Sequence, residues 1–217
     1  MPSSAVVFDL DGVVADTESV QLKAFNTVLK PFGVEITDYE WATMYVGTPV
    51  EIDLARVHAR FHLSVPLDVL ASERRETYSR LLREPGGLQP MAGLLTLLDY
   101  LDANKIPAAI ASGSPRADVR SVLQLLGILP RLRAVVASDD VPRSKPAPDV
   151  YLRAAADLGV LPGSCIAVED SATGMSAAKT AGMTVIGFPS KFTQYQDLRP
   201  DFAIAHLDEI PAILAKT

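Results

Sequence analysis

Short apolar runs without polar alternation are the feature that most narrows the folds open to this 217-residue chain. They are Ala5-Val6-Val7-Phe8, Pro107-Ala108-Ala109-Ile110-Ala111, Ala134-Val135-Val136-Ala137, Cys165-Ile166-Ala167-Val168 and Thr184-Val185-Ile186-Gly187-Phe188, with a weaker run at Phe202-Ala203-Ile204-Ala205. A strand with one wet face alternates apolar and polar residues. A run that stays apolar for four or five residues suits a strand covered on both faces, as in a parallel sheet between helices.

Helical periodicity fills the spaces between the runs. Leu94, Leu95, Leu97, Leu98 and Leu101 form one stripe; Val119, Val122, Leu123 and Leu126 form a second, with Gly127 as a C-cap. Residues 148–158 and 172–181 are Ala-rich and end at Gly159 and Gly182. The β-α-β-α order predicts an α/β, doubly wound, Rossmann-like parallel sheet. About 90 residues separate the first two runs, whereas a crossover needs only about a dozen. Residues 16–86 are therefore expected to be a helical cap inserted after the first strand, leaving 1–15 and 87–217 as the α/β core. Hinges are expected near Ala15 and near Pro85-Gly86-Gly87.

The net charge of −6 argues against a broad nucleic-acid surface, which needs a basic stripe. The single cysteine, Cys165, excludes an internal disulfide framework. No apolar run approaches the roughly 20 residues of a membrane span, and no basic-then-apolar leader opens the chain. A cytoplasmic monomer without nucleic-acid or membrane partners is the expectation.

Open parallel sheets bind ligands beyond the carboxyl ends of their strands. Asp9 and Asp11 follow the first run, Ser112, Gly113 and Ser114 the second, Lys145 the third, and Glu169 and Asp170 the fourth. Each has an ordinary alternative: a turn or N-cap aspartate, a turn serine, a solvated lysine before a helix-starting Pro146, acids at a helix N-terminus. Their coincidence on one rim favours a site over four separate accidents.

These segments also carry a resemblance. Val7-Phe8-Asp9-Leu10-Asp11-Gly12-Val13, Ile110-Ala111-Ser112-Gly113-Ser114, Ser144-Lys145-Pro146-Ala147-Pro148-Asp149 and Val168-Glu169-Asp170-Ser171-Ala172-Thr173-Gly174 resemble, in order, the four signatures of the haloacid-dehalogenase-like phosphatases. The nearest flavour is the sugar-phosphatase and β-phosphoglucomutase branch, whose members carry a helical cap between the first two signatures. The resemblance implies a Mg2+-dependent phosphomonoesterase acting on a small phosphorylated substrate. Asp9 is then the nucleophile and Asp11 the acid and base. Ser112, Gly113 and Lys145 hold the phosphoryl group. The Asp9 carboxylate, the Asp11 carbonyl, Asp170 and Glu169, directly or through water, surround the metal.

Alternatives remain on the same fold: a β-phosphoglucomutase, a carbon–halogen hydrolase, or a silent binding protein. The metal-type acids disfavour the halogen reaction, and the complete set of signatures disfavours a silent relative. A phosphonate-cleaving cousin would use a cap lysine, and residues 31–104 contain none. β-Phosphoglucomutases grip a second phosphate with cap cations. The matching stretch here, Tyr45-Val46-Gly47-Thr48-Pro49-Val50-Glu51, has Val46 and Val50 at those places, and Gln21 replaces the early cap histidine. Arg74 aligns with a further mutase cap cation.

Several other residues have plain readings. Asp16-Thr17-Glu18 is a helix start. His58 and His62 share a solvated helix face. Cys165 is a buried small hydrophobe. Trp41 and Tyr45 pack the cap, and Arg74 and Arg75 are solvated.

Overall fold

The computed structural model describes residues 5–46, 48, 50–192 and 199–216. Gly47 and Pro49, within the stretch compared with mutases, lie outside the described residues. The contacts divide the chain into two compact units, residues 1–16 with 89–217, and residues 17–88.

The first unit is built on β1 (Ala5–Phe8), β2 (Ala108–Ala111), β3 (Ala134–Val136), β4 (Cys165–Glu169), β5 (Thr184–Gly187) and β6 (Phe202–Ala203). They pair in parallel in the order β3-β2-β1-β4-β5-β6. β1 and β2 are buried throughout, as their unbroken apolar composition requires. One side of the sheet carries Ala5, Val7, Ala109, Ala111 and Ala167. The alternate residues Val6, Phe8, Ala108 and Ile110 are equally buried and project to the other side.

The helices of this unit outside the inserted segment are Leu94–Ala103, Arg116–Leu125, Asp149–Leu158, Ala172–Thr180 and Ile210–Leu214. The Asp149–Leu158 helix buries Val150, Tyr151, Ala154 and Ala155, a stripe one helical face wide, against the Val7 side of the sheet. Its end is set by Gly159 in a left-handed conformation, φ +73°. Ser171 caps the Ala172–Thr180 helix by accepting a bond from the Gly174 amide at 3.1 Å. Pro146 does not start a helix: the next helix begins at Asp149, and the Lys145–Pro146 peptide is cis.

The chain leaves β1 for β2 and β3 on one side, then returns to β4 on the other. The strand order therefore reverses between β1 and β4, which is where such sheets open a crevice at their carboxyl ends. Phe8 pairs with Val168, so the residues that follow, Asp9 and Glu169, emerge side by side.

Among the described residues, the second unit holds four α-helices, Thr17–Leu29, Asp38–Met44, Val50–Arg60 and Leu67–Arg83. The first packs along the last, burying Val20, Phe25, Val28 and Leu29 on one and Leu70, Tyr78 and Leu81 on the other. Thr37 and Glu40 form a reciprocal capping box at the second helix. Among the described residues, no helix is long and apolar enough to cross a membrane.

Candidate active site

β1 ends at Phe8, so strand alternation does not place Asp11 beside Asp9. A turn does. Gly12 adopts φ +80° and its amide donates to the Ala15 carbonyl at 2.8 Å, folding the chain back across the end of β1. A Cβ on Gly12 would also collide with the Asp170 carboxylate, so glycine is needed twice over.

Lys145 is not a solvated loop residue. Its side chain is 8% exposed, and its ammonium lies 2.5 Å from Asp9 Oδ1 and 2.6 Å from Glu169 Oε1. Burial opposes the charge, but the two carboxylates outweigh burial and hold the ammonium pKa above its ordinary value. Asp9 is displaced the other way. Burial pushes its carboxyl well above the usual range against the pull of Lys145, and the charges of Glu169 and Asp11 push it further. Burial would also raise Glu169, but Lys145 and several hydrogen bonds bring it below its ordinary value.

Asp9, Glu169 and Asp170 are buried and place carboxylate oxygens within 4.8 Å of one another. Among the described residues, Lys145 is the lysine paired with this cluster, and it leaves Asp9 above its normal range. A further positive charge with a taste for oxygen ligands, a divalent cation, fits the donor set. Gly174 gives this cluster its clearance: a Cβ there would overlap the Glu169 carboxylate.

The remaining rim residues come from β2. Ser112 is fully buried, and its hydroxyl accepts the Ser114 amide at 3.0 Å. Gly113 is exposed. Ser114 Oγ donates to Asp11 Oδ2 at 2.8 Å, holding a carboxylate 103 residues earlier in the chain. The sequence placed Ser114 on the rim without its contact to Asp11, and did not single out Tyr151. The phenol of Tyr151 donates to Glu169 Oε1 at 2.6 Å, and burial keeps its pKa well above the ordinary value. The available signal was a phenol on the buried stripe of the helix after the lysine loop, since a buried hydroxyl needs a partner.

Residues 6–188 match the haloacid dehalogenase-like hydrolase family. The chain belongs to that family. Among curated relatives of this haloacid dehalogenase-like chain, protein CbbY of Rhodobacter capsulatus is 30% identical, over 98% of this chain and all of that protein. The fructose-1-phosphate phosphatase YqaB of Escherichia coli is 31% identical, over 84% of this chain and 95% of that protein. The crystal structure of a β-phosphoglucomutase so described, from Thermotoga maritima, superposes with a TM-score of 0.84 at 26% identity, over 99% of each chain.

Outside the rim, the plain readings fare unevenly. His62 lies past its helix at φ +48°, and His58 Nε2 bonds the Val65 carbonyl at 2.7 Å, so the two do not form a pair. Cys165 is buried, with burial pushing its thiol up to about 11. Trp41 stacks on Tyr45 at 5.5 Å, and both are buried. Glu18 does more than open a helix, since it accepts the Trp41 indole N–H at 2.8 Å. Arg75 is exposed as expected, but Arg74 is buried, its guanidinium over the rings of Phe25 and Tyr78 at 5.3 and 4.8 Å. The reason is register: Leu70, Arg74 and Tyr78 recur every four residues on one helix face.

Proposed function

We propose that this chain is a Mg2+-dependent phosphomonoester hydrolase for a small phosphorylated sugar, working through an aspartyl-phosphate on Asp9. The observation that carries the reading is the buried Asp9 carboxylate, in contact with one buried ammonium and short of positive charge. Such a group becomes a competent nucleophile when a cationic phosphoryl site assembles around it. The relative named as a fructose-1-phosphate phosphatase supports a sugar phosphate as substrate.

Magnesium, when bound, supplies positive charge to the phosphoryl oxygens; the Asp9 and Asp170 carboxylates and the Asp11 carbonyl would hold it, with Glu169 behind them. Lys145, the Ser112 hydroxyl and the exposed Gly113 amide grip the phosphoryl group. An Asp9 oxygen attacks phosphorus and the ester oxygen leaves, taking a proton from Asp11. Asp11 then accepts a proton from water as that water attacks phosphorus. Phosphate departs and the Asp9 carboxylate returns. Ser114 steers Asp11 for both proton transfers.

A mutase reading has the described β-phosphoglucomutase structure in its favour. Against it stand Val46, Val50 and Gln21 where mutases carry cap cations and a histidine. Arg74, the cation that remains, lies against two aromatic rings.

The test is an aryl phosphate with and without Mg2+, followed by a panel of phosphorylated sugars that includes β-glucose 1-phosphate with a trace of bisphosphate. Metal-dependent phosphate release is expected throughout the active set. No release from any ester rejects the hydrolase reading. Glucose 6-phosphate accumulating faster than free phosphate establishes the mutase.

A further inference from the structure

Glu169 is met by more donors than a carboxylate can serve. Oε1 accepts from the Lys145 ammonium and the Tyr151 hydroxyl, each at 2.6 Å. Oε2 accepts the Asp170 and Ser171 amides at 3.1 Å and the Ser171 hydroxyl at 3.0 Å. Five donors share a group with about four acceptor directions. With no exposed surface, Glu169 is spent on the protein around it.

Tyr151 acts on Lys145 in two ways. Its hydroxyl shares Oε1 with the ammonium, so that oxygen is fixed from two sides. Its ring presents a π-face 5.0 Å from the ammonium, a favourable contact for a desolvated cation. The ring itself cannot wander, because Tyr151 is fully buried on the stripe with Val150, Ala154 and Ala155. Lysine is a flexible four-carbon stem with a point charge, so its usefulness as a phosphoryl grip depends on what restrains its end.

We propose that Tyr151 is a positioning residue for the reaction: with Glu169 it fixes the Lys145 ammonium at Asp9, and Glu169 serves as this anchor in place of direct metal ligation. Tyr151 is fully buried, its hydroxyl spent on Glu169 and its ring on Lys145, so it works through Lys145. The proposal rests on Lys145 being the phosphoryl grip. A phenol that merely satisfied itself in the core would matter for stability alone, which separates the two roles experimentally.

The variant is Tyr151→Phe, which removes only the hydroxyl. The measurements are calorimetric affinities for inorganic phosphate in Mg2+ and for Mg2+ alone, with thermal unfolding and aryl phosphate turnover beside them. Phosphate affinity and kcat should each fall about tenfold, the equivalent of one hydrogen bond to a charged group. Mg2+ affinity should stay within about twofold, well short of the 10- to 100-fold change expected when a ligand's support is lost. Ser171→Ala is the control. It removes a donor from Oε2, away from Lys145, and should lower the unfolding temperature as a lost helix cap does, with phosphate affinity little changed. Unchanged phosphate affinity and kcat in Tyr151→Phe would overturn the proposal. So would a parallel loss of Mg2+ affinity, or a Tyr151→Phe chain that fails to fold. A wild-type protein that binds phosphate with Mg2+ but cleaves no ester would reject the hydrolase reading while leaving the phosphate comparison to decide the role of Tyr151.

Discussion

The ammonium of Lys145 lies 2.5 Å from Oδ1 of Asp9, a contact between residues 136 positions apart. The pair is buried, and Glu169 completes it from the other side. Removing the cation strands two buried carboxylates. Lys145→Met should therefore cost about 3–5 kcal/mol of stability at neutral pH, the range for breaking a buried ion pair from one side. Denaturant unfolding measures this, and turnover should fall at least ~10²-fold as a phosphoryl contact is lost. A variant as stable as the wild type would show that the carboxylates do not depend on Lys145.

Asp9 links stability to pH in metal-free protein. Its folded pKa is raised by burial, with Glu169 and Asp11 adding and Lys145 opposing. A carboxyl raised in the folded state contributes stability that is present below its unfolded value, about 4, and lost as pH rises through the folded value. Asp9→Asn should thus gain stability relative to wild type as pH rises above about 4 in chelator. Mg2+ should reverse the gain by stabilising the wild type, and should do less for Asp170→Ala. Thermal unfolding curves that run parallel across pH, with and without Mg2+, would contradict this.

Ser114 and Asp11 form a second contact across the rim, 2.8 Å from hydroxyl to carboxylate. Asp11→Asn should slow turnover of a sugar phosphate at least ~10²-fold, the scale of general acid–base catalysis. Ser114→Ala leaves the carboxylate in place but unsteered, and should cost less, about tenfold, the equivalent of one hydrogen bond to a charged group. The Asp11→Asn loss should be smaller with an aryl phosphate, whose leaving group needs less protonation. Equal losses with both substrates would remove the acid role.

Asp53 offers a test away from the reaction. It is 2% exposed, accepts the Thr48 hydroxyl at 2.5 Å and lies 3.5 Å from Arg56. Burial pushes its pKa up to about 6, with Glu51 adding and Thr48, Arg56 and Arg74 opposing. The stability it contributes is complete below about pH 4 and is lost as pH rises through about 6. Asp53→Asn, neutral at all pH, should gain on the wild type in unfolding temperature between those values. A difference that stays constant, or moves the other way, would contradict the assignment.

The sheet was legible in the sequence because strands covered on both faces show as unbroken apolar runs, and the rim because four such runs end in reactive residues. What escaped the sequence was contact made across the fold. The pairing of Ser114 with Asp11 and of Tyr151 with Glu169 needs β1, β2, β4 and a helix brought together, and no local spacing encodes it. Arg74 was misread for a related reason. Charge suggests solvent, while its four-residue register with Leu70 and Tyr78 turns it inward. Asp11 is brought beside Asp9 by the Gly12 turn, which lies beyond the end of β1.

The most direct measurement is an acid quench of Asp11→Asn during reaction with an aryl phosphate and Mg2+, followed by peptide mass mapping. Without its base this variant should form the aspartyl-phosphate and fail to clear it. The phosphoryl group should be found on Asp9, and should be absent when Asp9→Asn is added to the variant or Mg2+ is chelated. Phosphate release by the wild type with no phosphorylated Asp9 in the quenched variant would contradict a covalent mechanism through this residue.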